Sequence, residues 1–131
     1  MIIKIKTIAD TRGCLSAVEG VQDIPFGIKR IFYMHHVISD RGGHAHIDTD
    51  QVLIAIHGSL KVKLFNGIET EEYVMDDCTK GLYIPRLYFT DMYDFTPETV
   101  CLVLSSTHYD MGKSLRSMDA YMSYLKEHDL L

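Results

Sequence analysis

The stretch that decides the fold is Arg41-Gly42-Gly43-His44-Ala45-His46, followed by Gln51 and, after six more residues, Gly58. Two histidines spaced i, i+2 on an extended segment project from the same face of a sheet. Aimed into a pocket, they form a pair of groups titrating near neutrality, suited to metal binding or to proton transfer. With seven histidines in 131 residues, roughly 0.4 such pairs arise by chance, so the weight rests on the company the pair keeps. An arginine and two glycines precede it, and an apolar strand, Val52-Leu53-Ile54-Ala55-Ile56, follows.

Outward from this stretch, short segments rich in Ile, Val, Phe and Tyr alternate with Gly, Pro, Asp and Asn. Strands are expected at Ile2–Thr7, Cys14–Val18, Ile28–His36, Gln51–His57, Leu60–Phe65, Ile68–Val74, Gly81–Ile84, Asp91–Phe95 and Val100–Ser105. Gly58-Ser59 reads as a tight hairpin and Asn66-Gly67 as a stronger one. Only the end looks helical. Leu115, Met118, Tyr121, Met122 and Leu125 share a helical spacing that predicts a helix over 113–127, with Ser114 or Asp110 as its N-cap. About ten short strands and one late helix predict a single all-β domain over 1–131, most economically a jelly-roll barrel.

Composition narrows the functional classes. The net charge of −5 argues against nucleic-acid binding. No apolar run reaches membrane-spanning length, and the alternating start lacks the apolar block of a secretion signal, so a cytoplasmic protein with no membrane partner is expected. Cys14, Cys78 and Cys101 show no paired spacing and read as reduced, mostly buried thiols. Charge is uneven along the chain. Residues 28–66 carry Lys29, Arg30, Arg41, Lys61 and Lys63 against Asp40, Asp48 and Asp50, a positive island able to seat a phosphorylated small molecule; Lys61 and Lys63 themselves read as solvated strand faces.

The run His44-x-His46-x4-Gln51-x6-Gly58 resembles the first cupin motif, and Gly81-x3-Pro85-x4-Thr90 resembles the second. Metal-binding cupins place a glutamate where this chain has Gln51 and a third histidine where it has Thr90. Two imidazoles with an amide and a hydroxyl are a poor donor set for a divalent ion. The pair is therefore read as free for acid–base work, with no metal and no cofactor.

A closer resemblance covers nearly the whole chain. Asp10-x-Arg12-Gly13-x-Leu15, Ile24-Pro25-Phe26-x-Ile28-Lys29-Arg30, Arg41-Gly42-x-His44-Ala45-His46, Gln51-Val52-Leu53, Gly81-Leu82-Tyr83 and Met92-x-Asp94-Phe95 follow in order, with Tyr109-Asp110, Arg116 and Asp119 late in the chain. The set resembles the sugar-nucleotide 3,4-ketoisomerases, small cupins acting on thymidine-diphosphate (dTDP)-linked 4-keto-6-deoxyglucose. The resemblance implies a homodimer and a product aminated downstream to a 3-amino-3,6-dideoxyhexose for a surface glycan such as an O-antigen. It also implies that Tyr33 faces the sugar pocket as a hydroxyl donor. The apolar N-terminal strand would be a bare edge in a lone barrel, so pairing with a second subunit, by strand exchange, is expected.

The chemistry needs a base of near-neutral pKa for C3, a proton donor for C4 and a group to hold the developing oxyanion. His46 is read as the general base and His44 as proton shuttle or acid, and the reverse stays open. Mutual repulsion is expected to leave one ring neutral beside one charged. Arg41 is a candidate for the oxyanion or sugar hydroxyls, and Arg30, a planar fork, for the diphosphate. Gln51 would bond the sugar or orient a histidine, and small Thr90 would leave room in the cavity. His35, His36, His57, His108 and His128 are less informative: at most one of the first two points inward, and the last three read as surface residues. Tyr109 and Arg116 read as structural. Two other readings stand beside this one: a metal-dependent cupin such as a dioxygenase, and a non-catalytic sugar-nucleotide-binding module.

Overall fold

Gln51–His57 is the strand on which the rest is layered. Its apolar run is uninterrupted because both of its faces are covered. Leu53 and Ala55 point into a core shared with Met34, Leu60, Val62, Leu64 and Leu82. Val52 and Ile54 point the other way, into a second core closed by Ile5, Ile24 and Phe26. Removing each of these side chains other than Ala55 from water is worth about 1.5–3 kcal/mol.

The structure, a computed structural model, describes residues 1–131. In chain order the strands are β1 (Ile2–Lys4), β2 (Lys6–Asp10), β3 (Gly13–Ala17), β4 (Arg30–Met34), β5 (Arg41–His46), β6 (Gln51–His57), β7 (Leu60–Phe65), β8 (Thr70–Met75), β9 (Lys80–Ile84), β10 (Phe89–Tyr93), β11 (Val100–Ser105) and β12 (Ser114–Leu115), followed by helix α1 (Met118–Glu127). Two five-stranded antiparallel sheets, ordered β1-β9-β6-β11-β4 and β12-β5-β10-β7-β8, face each other across the first core. This is an all-β, cupin-like jelly roll with a C-terminal helix, as expected.

The details correct several expectations. Gly58-Ser59 is no hairpin: β6 and β7 belong to different sheets, and the turn is a corner. Gly58 takes φ +74, and Ser59 donates its N–H to Thr96 Oγ1 (3.0 Å) and Thr99 Oγ1 (3.2 Å). Asn66-Gly67 does close a hairpin, β7 onto β8, with Asn66 Oδ1 accepting from the Ile68 and Glu69 amides. The N-terminal segment is two strands, not one. Ile5 breaks it by turning into the second core, leaving β1 paired with β9 and β2 with β3.

The helix starts later than its apolar spacing suggests. Ser117 caps it by accepting from the Ala120 amide at 3.1 Å, whereas Asp110 caps a preceding 3-10 turn over Met111–Lys113. Ser114 does not start the helix: it ends the 3-10 turn, its amide donating to the Met111 carbonyl, and Ser114–Leu115 is drawn onto the edge of β5. Tyr121 and Leu125, one turn apart, then pack on Ala45 and Phe89, fixing the helix to the outer face of the second sheet. Cys101 is buried, but Cys14 and Cys78 are exposed, against the expectation of mostly buried thiols.

Candidate active site

β5 explains the glycines of the motif. Gly42 and Gly43 have φ of +96° and +71°, and a Cβ on Gly42 would lie 2.5 Å from the Thr90 carbonyl oxygen. Opposite them, β10 pairs Thr90 with His44 but Asp91 with Gly42, so Gly43 is the extra residue of a β-bulge. From the bulge onward the alternation is fixed: Ala45 is wholly buried beneath α1, and His44 and His46 share the opposite face. Their ring centroids are 4.9 Å apart at 80°, edge to face.

Two cavities flank this pair, one beside each ring. One, of about 270 Å³, is polar and is lined by His46 with Arg30, Asp48, Thr49, Thr107 and the His108–Asp110 loop. The other, about 90 Å³, reaches into the barrel and is mainly apolar: His44, Gln51, Thr90 and Arg41 meet Phe32, Met34, Leu53 and Met92 there. Arg30 is sandwiched, its guanidinium carbon 4.8 Å from the Phe32 ring centroid and 5.2 Å from that of Tyr109. Its Nε is buried without a hydrogen-bond partner, so it holds an unused donor beside His46. Gln51 donates from Nε2 to Ser105 Oγ at 3.4 Å, and Thr90 Oγ1 donates to the Tyr88 carbonyl at 3.3 Å.

Both imidazoles are held uncharged at neutral pH. Burial, reinforced by His44 and by the guanidiniums of Arg30 and Arg116, pushes His46 down to about 4. Burial also lowers His44, with Arg116 and Arg41 adding to it and the Gly42 carbonyl and Asp91 opposing. The expected pairing of one neutral and one charged ring therefore gives way to two neutral rings, because desolvation acts on both. Nowhere in the chain do three or more His, Cys, Asp or Glu side chains converge as a metal site would require. The neighbours of the pair in the narrow cavity are an amide and a hydroxyl.

Of the residues read from the sequence, His44, His46, Arg30, Arg41, Gln51 and Thr90 all line one or the other cavity. Tyr33 does not. β4 alternates with Arg30, Phe32 and Met34 inward, so Tyr33 lies on the outer face, 64% exposed, and Phe32, without a hydroxyl, takes the pocket position. The positive island shrinks likewise: Lys61 pairs with Asp94 (3.2 Å) and Lys63 with Glu72 (3.6 Å) on solvated strand faces, leaving Arg30 and Arg41 at the site. His108 is exposed, as read, yet it also edges the polar cavity beside Tyr109, which sequence reasoning took as structural. Neither His35 nor His36 points inward; they face each other at the surface, Nδ1 to Nδ1 at 2.7 Å. Asp48, Thr49 and Thr107 were not foreseen. They sit in loops, where no periodicity marks them, and only the pairing of β6 with β11 brings residue 49 to residue 107.

Comparison with known proteins follows the same lines. The family model FdtA (WxcM-like, C-terminal) matches residues 1–126. A TDP-4-oxo-6-deoxy-α-D-glucose-3,4-oxoisomerase of Aneurinibacillus thermoaerophilus is 36% identical, with 98% of this chain and 94% of that protein covered. The crystal structure of QdtA, a sugar 3,4-ketoisomerase from Thermoanaerobacterium thermosaccharolyticum in complex with TDP, superposes with a TM-score of 0.92 at 41% identity, covering 98% of this chain and 95% of that one. WlaRA, a TDP-fucose-3,4-ketoisomerase from Campylobacter jejuni, gives a TM-score of 0.90 at 31% identity over 95% of this chain and 93% of its own. With the fold, the inward histidine pair and these likenesses together, the chain belongs to the FdtA family and is an isomerase of the 3,4-ketoisomerase kind.

Proposed function

We propose that the protein moves the ketone of TDP-linked 4-keto-6-deoxyglucose from C4 to C3 through an enediol, with His46 as base and His44 as proton shuttle. The single observation that carries this reading is the pair of half-buried imidazoles, ring centroids 4.9 Å apart, with a polar cavity beside one and an apolar cavity beside the other. The C4 carbonyl acidifies the C3 hydrogen. Neutral His46 removes that proton, O4 gains one, and the enediol forms. Loss of the O3 proton and return of a proton to C4 leave the ketone at C3. No electron leaves the substrate, so no redox partner enters the balance.

The charges around the pair suit both halves of the reaction. Arg30 and Arg116 make the His46 imidazolium, once formed, a willing donor back to carbon. A diphosphate drawn to the Arg30 guanidinium, which lines the polar cavity, offsets that charge and raises the basicity of His46 when substrate is bound. Arg41, on the rim of the narrow cavity, faces the sugar hydroxyls and the oxyanion, while Gln51 and Thr90 shape the end where the ring sits. The product, a 3-keto sugar nucleotide, is chemically ready for amination to a 3-amino-3,6-dideoxyhexose for a surface glycan, and the reaction is assigned to the cytoplasm.

The working unit is proposed to be a homodimer. The hairpin β2–β3 pairs only with itself and carries Ile8 and Leu15, about 60% exposed, while Ile31 and Tyr33 lie bare on the outer face of edge strand β4. A second copy exchanging this N-terminal segment would cover both surfaces. Sedimentation at micromolar concentration is expected to give twice the chain mass; a monomer would refute the dimer.

Proton NMR of the reaction of TDP-4-keto-6-deoxyglucose in deuterated buffer tests the function. A 3-keto product carrying deuterium at C4 is expected. Protein that binds TDP but neither converts this substrate nor exchanges its C3 hydrogen would instead be a binding module.

A further inference from the structure

The residues that could reach substrate do not explain what holds the strand of His46 in place. β5 is the penultimate strand of its sheet, and its outer partner β12 is only two residues long. The main-chain bond that anchors the His46 end from the other side comes from a loop: the Leu87 amide donates to the His46 carbonyl at 2.7 Å. Leu87 takes φ +65, a left-handed conformation that a leucine adopts only when its surroundings enforce it.

Two clamps do the enforcing. On one side, Asp50 accepts from the Arg86 amide at 2.8 Å and from its guanidinium at 3.2 and 3.3 Å. On the other, the Tyr121 hydroxyl of α1 donates to the Leu87 carbonyl at 2.7 Å and lies 3.0 Å from that of Phe65. Tyr121 is fully buried, and its ring packs on Ala45, the residue between the two histidines. A buried hydroxyl this well satisfied is costly to replace, and its bond runs directly to the residue that grips His46.

We infer that Tyr121 is a positioning residue for His46, acting through Leu87, so that the C-terminal helix sets the register of the base. The inference rests on the assignment of His46 as base, and its logic is geometric. With the hydroxyl gone, Leu87 relaxes from its strained φ, the His46 carbonyl loses a fixed partner, and the imidazole drifts from C3. Binding of the nucleotide, which is assigned to the other side of the pair, does not depend on that clamp.

The test is Tyr121→Phe in the full chain, which removes one oxygen and keeps the ring. The expected result is a kcat, and a rate of C3 hydrogen exchange, lowered about tenfold with KM and TDP affinity within about twofold. Thr99→Val, which cuts a buried hydroxyl at the Gly58 corner at the far end of β6, serves as the stability control. It is expected to lower Tm comparably and to leave kcat unchanged. Asp50→Ala, which releases Arg86 and so opens the other clamp on Leu87, gives a kcat loss of the same kind in a second variant should Tyr121→Phe fold poorly. Unaltered exchange in folded Tyr121→Phe or Asp50→Ala, a loss confined to KM, or an equal kcat loss in Thr99→Val overturns the inference. Wild-type protein without C3 exchange overturns the assignment of the base instead.

Discussion

The two cavities on either side of the histidine pair differ in size, polarity and charge. The larger, about 270 Å³, is lined mostly by polar residues, Arg30 among them; the smaller, about 90 Å³, is walled by Phe32, Met34, Leu53 and Met92. A sugar nucleotide has the same division along its length: a diphosphate at one end of the junction and, at the other, a hexose whose deoxygenated C6 is a methyl group. The division teaches that binding and chemistry are separable here. In the proposed function, charge recognition falls to the outer chamber, ring placement to the inner one, and proton transfer to the histidines between them.

Variants at the three places should break the comparison in different ways. His46→Asn, at the junction, is expected to cost about a thousandfold in kcat while TDP affinity stays within twofold, as measured by steady-state kinetics and calorimetry. Arg30→Gln, in the outer chamber, should raise KM roughly 10–100-fold through loss of charge-assisted bonds, with a far smaller change in kcat. Thr90→Leu fills the inner chamber, and overpacking there should lower kcat/KM about tenfold without weakening TDP, which has no sugar to place. Equal losses of TDP affinity from Arg30→Gln and Thr90→Leu would erase the distinction between the chambers.

The sequence made the framework legible where pattern and burial coincide. β6, β7 and β11 are predicted to the residue, because each combines an apolar or alternating run with a clear turn at one end. The His-x-His pair is readable because residues two apart on a strand share a face, but the bulge at Gly43 that precedes the pair shows only in the pairing of β5 with β10. Parity was harder. In β4, Phe32 and Tyr33 are both aromatic, and only the pairing of β4 with β11 decides that Phe32 faces the cavity and Tyr33 the solvent. The Gly58 corner shows a similar limit: a glycine turn between two strands looks alike whether the strands pair or diverge into opposite sheets. The outer chamber was the least legible part. Asp48, Thr49 and Thr107 come from loops that meet only after the sheets have formed.

The charge state of the pair remains the center of the account, because a base must be unprotonated to accept the C3 hydrogen. His46 falls to about 4 from an unfolded value of 6.5, so the unfolded chain binds the extra proton first. The stability this neutral ring contributes is complete above about pH 6.5 and is lost as pH falls toward 4. A pH titration of 15N-histidine-labelled protein by NMR reads this directly. The account predicts neutral imidazole signals for His44 and His46 at pH 7, with His46 gaining its proton only near pH 4. An imidazolium at His46 at pH 7 would contradict it.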